Sequence, residues 1–275
     1  MQAEPTIPAG TGSRRLIGHV LLDLTLIIVA TIAMSLVVSI FFLLVRGLQA
    51  GLTPAEIANL TPDAAIQLLG VGGVLVILVL QNILFVAVPI VRVRFLRHEP
   101  LSVLGLQAQR PLRLLLIGLG IGIIALMANA LLSTLFLSFG IRQNQAAQYP
   151  LYQGQYLAQI LFAIGAALIV PFGEEVLFRG YLFGSLDRID APWSRPAAYL
   201  ISAAVFALAH MLAASEGQIV LLTTTFLLGL VLAWVFQRTG SVFPCFVAHA
   251  TNNGVALLAL LTCVNNPLLE VCLQS

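Results

Sequence analysis

Seven long apolar runs dominate the sequence, and they leave it few ways to fold. An α-helix needs roughly 20 apolar residues to cross the hydrocarbon core of a bilayer. Within that core no water satisfies backbone N–H and C=O groups, so a span must satisfy its own, as a helix does. The runs lie near Leu16–Val45, Ile66–Val91, Leu112–Phe139, from Tyr156 onward, Pro196–Ala214, Ile219–Phe236 and Val242–Thr262. A partial eighth helix fits between Thr53 and Leu60. The expected fold is all-α, a polytopic transmembrane helical bundle of about seven to eight spans.

Composition agrees. Hydrophobic residues make up 60% of the 275 and charged residues only 9%, with a mean hydropathy of +1.02. Soluble domains carry roughly 25% charged residues. The net charge is +2, and all 13 basic residues are arginine. No basic patch is interleaved with aromatics, so nucleic acid is not an expected partner; the lipid bilayer is. The first run follows a polar stretch holding Arg14 and Arg15 and has no small-x-small cleavage site, so it reads as a span and not a signal peptide. It is longer than a crossing requires, which suits a tilted or partly interfacial helix.

Local signals place the helix starts. Thr53-Pro54-Ala55-Glu56 has the residues of a capping box, Thr61-Pro62-Asp63 repeats the pattern, and Pro111 and Pro196 open later spans. Gly118, Gly120 and Gly122 offer a close-packing face, as Ser35 and Ser39 do on the first span. Cys245 reads as a small packing residue, while Cys263 and Cys272 are spaced to pair if their end faces an oxidising compartment. The organisation expected is a tail over 1–15, N-terminal spans over 16–150, a catalytic helical core over 151–265 and a tail over 266–275.

Arginines predict orientation. Arg14, Arg15, Arg92, Arg94, Arg97, Arg110, Arg113, Arg188, Arg195 and Arg238 fall at one end of the spans, and Arg46 and Arg142 at the other. The positive-inside rule puts the N-terminus of this multi-pass cell-membrane protein in the cytoplasm.

Three sets of polar residues interrupt the later runs. Glu174-Glu175-Val176-Leu177-Phe178-Arg179 brings three charges into a span, where ionisable groups cost several kcal/mol unless paired or lining a wet cavity. Glu175 and Arg179 share a helical face at i,i+4 and can neutralise each other. Glu174 points about 100° away and is left without a local counter-charge, a setting that suits a general base or acid. Pro171 can kink the helix one turn earlier, and Gly173 permits a close approach. Phe206 and His210 share a face on the next run, as do His249 and Asn253 on the last; the latter pair could stabilise an oxyanion. At about 1.5 Å per residue, Glu174 and His210 lie about 20 Å from the arginine-rich end, Asn253 about 15 Å and His249 about 10 Å. Each set alone is as readily structural: an ion pair, a bridging histidine, an asparagine gluing helices. At similar depth on three helices they point to one shared cavity. Asp23 and His19 read as interfacial, Gln81, Asn82 and Asn129 as inter-helix hydrogen bonders, and Trp193 and Trp234 as interface anchors.

Glu174-Glu175-x-x-x-Arg179 continuing as Gly180-Tyr181-Leu182-Phe183, then Phe206-x-x-x-His210, then His249-x-x-x-Asn253, resembles the three-motif pattern of the CPBP (ABI) family of CAAX-processing and bacteriocin-processing proteases. The likeness runs from about Ala158 to Leu258. It implies an intramembrane endopeptidase with a helical core and a cavity opening to the cytoplasm. Glu174 and His210 would activate a water, His249 and Asn253 would bind the oxyanion, and Glu175, Arg179 and Phe206 would support them. The substrate implied is a peptide or membrane protein cut near a terminus, by CAAX-type or bacteriocin-type processing. The resemblance leaves the cofactor open: members are described as metal-independent or metal-dependent, and a divalent ion such as zinc, if present, would sit on Glu174, His210 and His249. Rival readings are a non-catalytic scaffold or bacteriocin-immunity protein binding a partner through the cavity, and a small transporter with a proton relay. The transporter reading expects paired repeats, and the sequence shows none.

Overall fold

The computed structural model describes residues 7–8, 11–143, 149–211 and 217–266. It is a helical bundle. α1 is Thr11–Gln49, α2 Pro54–Ala58, α3 Pro62–Val91 and α4 Pro111–Ser138. One span then runs through α5 (Tyr156–Ile164), a π-helical turn, α6 (Val170–Glu175), a second π-helical stretch and α7 (Gly184–Asp187). α8 (Ser194–Ala209), α9 (Gln218–Thr239) and α10 (Val242–Asn265) complete it. The only extended pairing among the described residues joins Ile7–Pro8, β1, to Ile189–Asp190, β2, in parallel.

The cap signals act as expected. At the start of α2, the Thr53 backbone N–H donates to Glu56 Oε2 at 2.7 Å, and the Glu56 N–H donates to Thr53 Oγ1 at 3.3 Å. The reciprocal bonds satisfy two donors that a helix start otherwise leaves open. These bonds from Thr53 hold the exposed Glu56 carboxyl below its ordinary range. Thr61 caps α3 through Ala64 N–H at 3.3 Å.

Among the described residues six helices are long and apolar enough to cross a membrane, one fewer than the sequence runs suggest. The exception is α8, whose 16 residues extend only about 24 Å. The expected end of the fifth span at Ala214 lies outside the described residues; the helix itself ends at Ala209, with His210 as its C-cap. There the imidazole Nδ1 bonds Phe206 O at 2.9 Å, and the His210 N–H turns to Ala207 O at 3.0 Å. The side chain has taken the carbonyl that its own N–H would use in a continuing α-helix.

The span carrying the acidic pair is also not a plain α-helix. In the first π turn the Val170 N–H reaches back five residues to Gly165 O. The next donor in that pattern is Pro171, which has no N–H. The Ala166 carbonyl accepts instead from Asn253 Nδ2, at 3.4 Å. Asn82 of α3 donates to Ile169 O and packs where a Cβ on Gly173 would be. The expected close approach at Gly173 is thus made by a neighbouring helix.

Small residues let α4 and α10 meet. A Cβ on Gly118 would lie 2.6 Å from Val247 Cβ, and one on Gly122 2.7 Å from Ala248 O, whereas Gly120 faces open space. Two of the three glycines form the packing face. α3 kinks at Gly70, with φ 61° and ψ 175°, a backbone region that glycine enters without steric cost. Arg46 from α1 fills the space beside it and donates to Leu68 O at 3.3 Å. Asp23 departs from expectation. It is 2% exposed, accepts a bidentate pair from Arg92 and a bond from Tyr181 Oη, and so ties α1 to both α3 and the acidic span. Cys245 packs in the core with its thiol on Leu232 O at 3.3 Å. The expected Cys263–Cys272 pair involves Cys272, outside the described residues.

Candidate active site

The acidic span, α8 and α10 converge as the sequence spacing anticipates. Arg179 Nη1 donates to Glu175 Oε1 at 3.0 Å, with both side chains fully buried. His249 Nδ1 lies 2.9 Å from the same oxygen. An ionised carboxylate only accepts, so this partner places the ring proton of His249 on Nδ1. The Arg179 guanidinium stacks 4.3 Å from the Phe206 ring centre and sends Nη2 toward Gly229 O at 3.5 Å. Gly229 allows this, since α9 there touches Ala203 of α8 closely enough that a Cβ would sit 3.0 Å from the Ala203 Cα.

Phe206 sits between the two imidazoles. Its ring centre is 4.8 Å from that of His210 and 5.6 Å from that of His249, edge-on to both. It holds the rings apart without competing for their polar atoms.

Glu174 takes neither the arginine nor a hydrogen bond. Its Oε2 lies 3.6 Å from His249 Nε2 and its Oε1 3.9 Å from His210 Nε2. Both separations exceed a direct hydrogen bond, and Oε2 is buried without a hydrogen-bond partner among the described residues. Such atoms are rare in folded proteins and call for an explanation. The Phe206 carbonyl fixes the proton of His210 on Nδ1 in the neutral ring, leaving a lone pair on Nε2 toward Glu174.

Asn253 is held by residues that carry no motif. Asn129 Nδ2 of α4 donates to Asn252 Oδ1 at 2.9 Å, and Asn252 Nδ2 donates to Asn253 Oδ1 at 3.2 Å. That order turns the Asn253 amide so that Nδ2 is its free end. One N–H goes to Ala166 O, and the other is left for the cavity that Asn253 lines. Asn129 was expected only to glue helices, and Asn252 stood out in no sequence pattern; the N-N pair at 252–253 was the available signal.

A cavity of about 430 Å³ meets the site at Phe206, His210, His249 and Asn253. Its walls are Leu126 and Ser133 of α4, Thr224 and Thr225 of α9 and Leu257 and Leu260 of α10, with Gln143 and Tyr149 beyond. These belong to the later half of α4, the earlier half of α9 and the later half of α10, away from Arg113, Arg188 and Arg238. The sequence reading placed the opening at the arginine-rich end. The described lining residues of the cavity lie toward the other end of these helices.

An open metal centre would draw on Glu174, His210 and His249. The two Nε2 atoms do face the carboxylate, but among the described residues no three such groups are arranged to share an ion. No step below runs through a metal.

Residues 156–255 match the family model described as type II CAAX prenyl endopeptidase Rce1-like. The likeness to that family covers this segment of the chain. It begins with α5 and ends two residues after Asn253, so it contains every motif residue of the site. The chain is also similar to the UPF0177 protein YxdF of Lactococcus lactis subsp. lactis (strain IL1403), 31% identical over 86 residues, which is 31% of this chain and 42% of that protein. The match thus spans less than half of the curated relative. No solved structure matches the chain. Asn129, Asn82 and Asp23, which brace the matched segment, all lie before it.

Proposed function

We propose that the protein is an intramembrane endopeptidase in which Glu174 and His210 activate a water. The observation that carries this reading is Glu174, buried with Oε2 lacking a hydrogen-bond partner among the described residues and faced by two imidazole nitrogens whose rings line the cavity. A water held between Glu174 Oε1 and His210 Nε2 gives up a proton to one of these two acceptors as its oxygen attacks the scissile carbonyl. The carbonyl π pair moves onto oxygen, and the resulting oxyanion accepts from Asn253 Nδ2. His249 donates from Nε2 only when the ring carries its second proton, because Nδ1 serves Glu175; Asn253 donates in every state. Collapse of the intermediate breaks the C–N bond as the abstracted proton passes to the leaving amine.

The cavity walls suggest the substrate class. Among the described residues no arginine, aspartate or glutamate lines it, so burying a charged side chain there would go uncompensated. An extended peptide with uncharged residues around the cut suits it, whether released by CAAX-type or bacteriocin-type processing. Glu174→Gln tests the mechanism. In the reconstituted protein, cleavage of a quenched-fluorescent peptide is expected to fall by about 100-fold or more, with the thermal midpoint unchanged. Full turnover in that variant removes the proposed role. Retention of cellular function by Glu174→Ala would favour partner binding over catalysis.

A further inference from the structure

A second cavity lies at the opposite end of the molecule, between the start of α4 and the end of α9. It measures about 550 Å³ and is lined by Arg110, Arg113 and Arg238, with Gln109, Trp234 and Thr239 beside them. Below this polar rim its floor is apolar. Leu114, Ile117 and Ile121 recur at helical spacing along α4, facing Val235 of α9. No acidic side chain lines it, and none of the three arginines forms an ion pair among the described residues. Three other arginines at this end are neutralised: Arg92 by Asp23, Arg188 by Glu99 and Arg195 by Asp187.

We infer that this groove binds one anionic phospholipid, with the phosphate on Arg110, Arg113 and Arg238 and an acyl chain along Leu114, Ile117 and Ile121. The charge is complementary, and the depth is right. Arg110 and Arg113 flank the first residue of a span, and Arg238 the last turn of another, where headgroups meet the hydrocarbon. Trp234 is half-exposed, with the Arg238 guanidinium 5.8 Å from its ring, and tryptophan favours this level. The first turn of α4 adds to the field. Arg110, its N-cap, makes no side-chain cap bond, so the Leu112 and Arg113 backbone N–H groups are unclaimed by a cap and carry the positive end of a 28-residue helix.

The site can be tested on the full-length protein without knowing its substrate. Trp193→Phe leaves Trp234 as the sole tryptophan of the two. In nanodiscs titrated with one or the other, brominated phosphatidylglycerol should reach half-maximal quenching of Trp234 at a mole fraction roughly fivefold lower than brominated phosphatidylcholine, the preference expected for about 1 kcal/mol of headgroup attraction. Native mass spectrometry should show retained phosphatidylglycerol that is lost in Arg110→Gln/Arg113→Gln/Arg238→Gln. Equal quenching by the two lipids would overturn the proposal even if the triple variant failed to fold. Displacement of the lipid by millimolar glycerol 1-phosphate would also overturn it, by showing that a free phosphate suffices.

Discussion

Arg179 is a full charge with no exposure; Glu175 answers the charge, Phe206 the flat face and Gly229 O one further N–H, while Nε is buried without a hydrogen-bond partner among the described residues. Breaking a buried pair by removing one partner leaves an uncompensated ion and costs about 3–5 kcal/mol. Arg179→Leu should therefore lower stability by about that amount in chemical or thermal unfolding. Glu175→Gln on that background should recover much of it without restoring cleavage, since His249 would still lack its carboxylate. The asparagines sort by distance from the chemistry. Asn253→Ala removes the proposed oxyanion donor and should cut kcat by about 10²–10³. Asn129→Ala leaves that donor in place but frees its orientation, so the loss should be smaller and fall on kcat more than on KM.

At the scale of helices, the α4–α10 contact decides how close Asn129 comes to Asn252. Gly122→Val places a Cβ against the Ala248 carbonyl, next to His249, and backbone cannot move aside as a side chain can. Overpacking of this kind costs about 1–3 kcal/mol, and cleavage should fall with it. Gly120→Val, two residues away and facing open space, should leave both the unfolding midpoint and turnover unchanged. The two variants measured together separate helix packing from a general intolerance of valine in the span. Asp23 is the comparable lever on α1. This helix is mostly exposed along its length, so the buried Asp23–Arg92–Tyr181 contact is its polar anchor.

For the molecule as a whole, the site divides the bundle into two ends of different character. Ten arginines mark one end, and the cavity runs toward the other. If the positive-inside rule holds here, the cavity faces away from the cytoplasm. A membrane-impermeant thiol reagent applied to intact cells should then label Gln143→Cys and spare Arg238→Cys, in a background lacking the native cysteines. The reverse pattern would place the cavity on the cytoplasmic side.

The helical class, nearly all of the spans and the three polar sets were legible in the sequence because each rests on a local rule. A helix in lipid needs a run of apolar residues, a cap needs its hydroxyl and its glutamate, and residues four apart share a face. The same rules singled out Glu174 as the acid without a partner. Pairings between distant segments had no local signature. Asp23 looked interfacial because Arg92 and Tyr181 reach it from 69 and 158 residues away. Asn129 looked like helix glue and Asn252 carried no signal, because only packing turns one amide onto the next. The length of α8 was misjudged for the opposite reason, since hydropathy continues past the point where the His210 imidazole claims the Phe206 carbonyl. The sequence alone determined which residues must be buried together; the tertiary structure alone decided what each one faces, and so to which end the cavity runs.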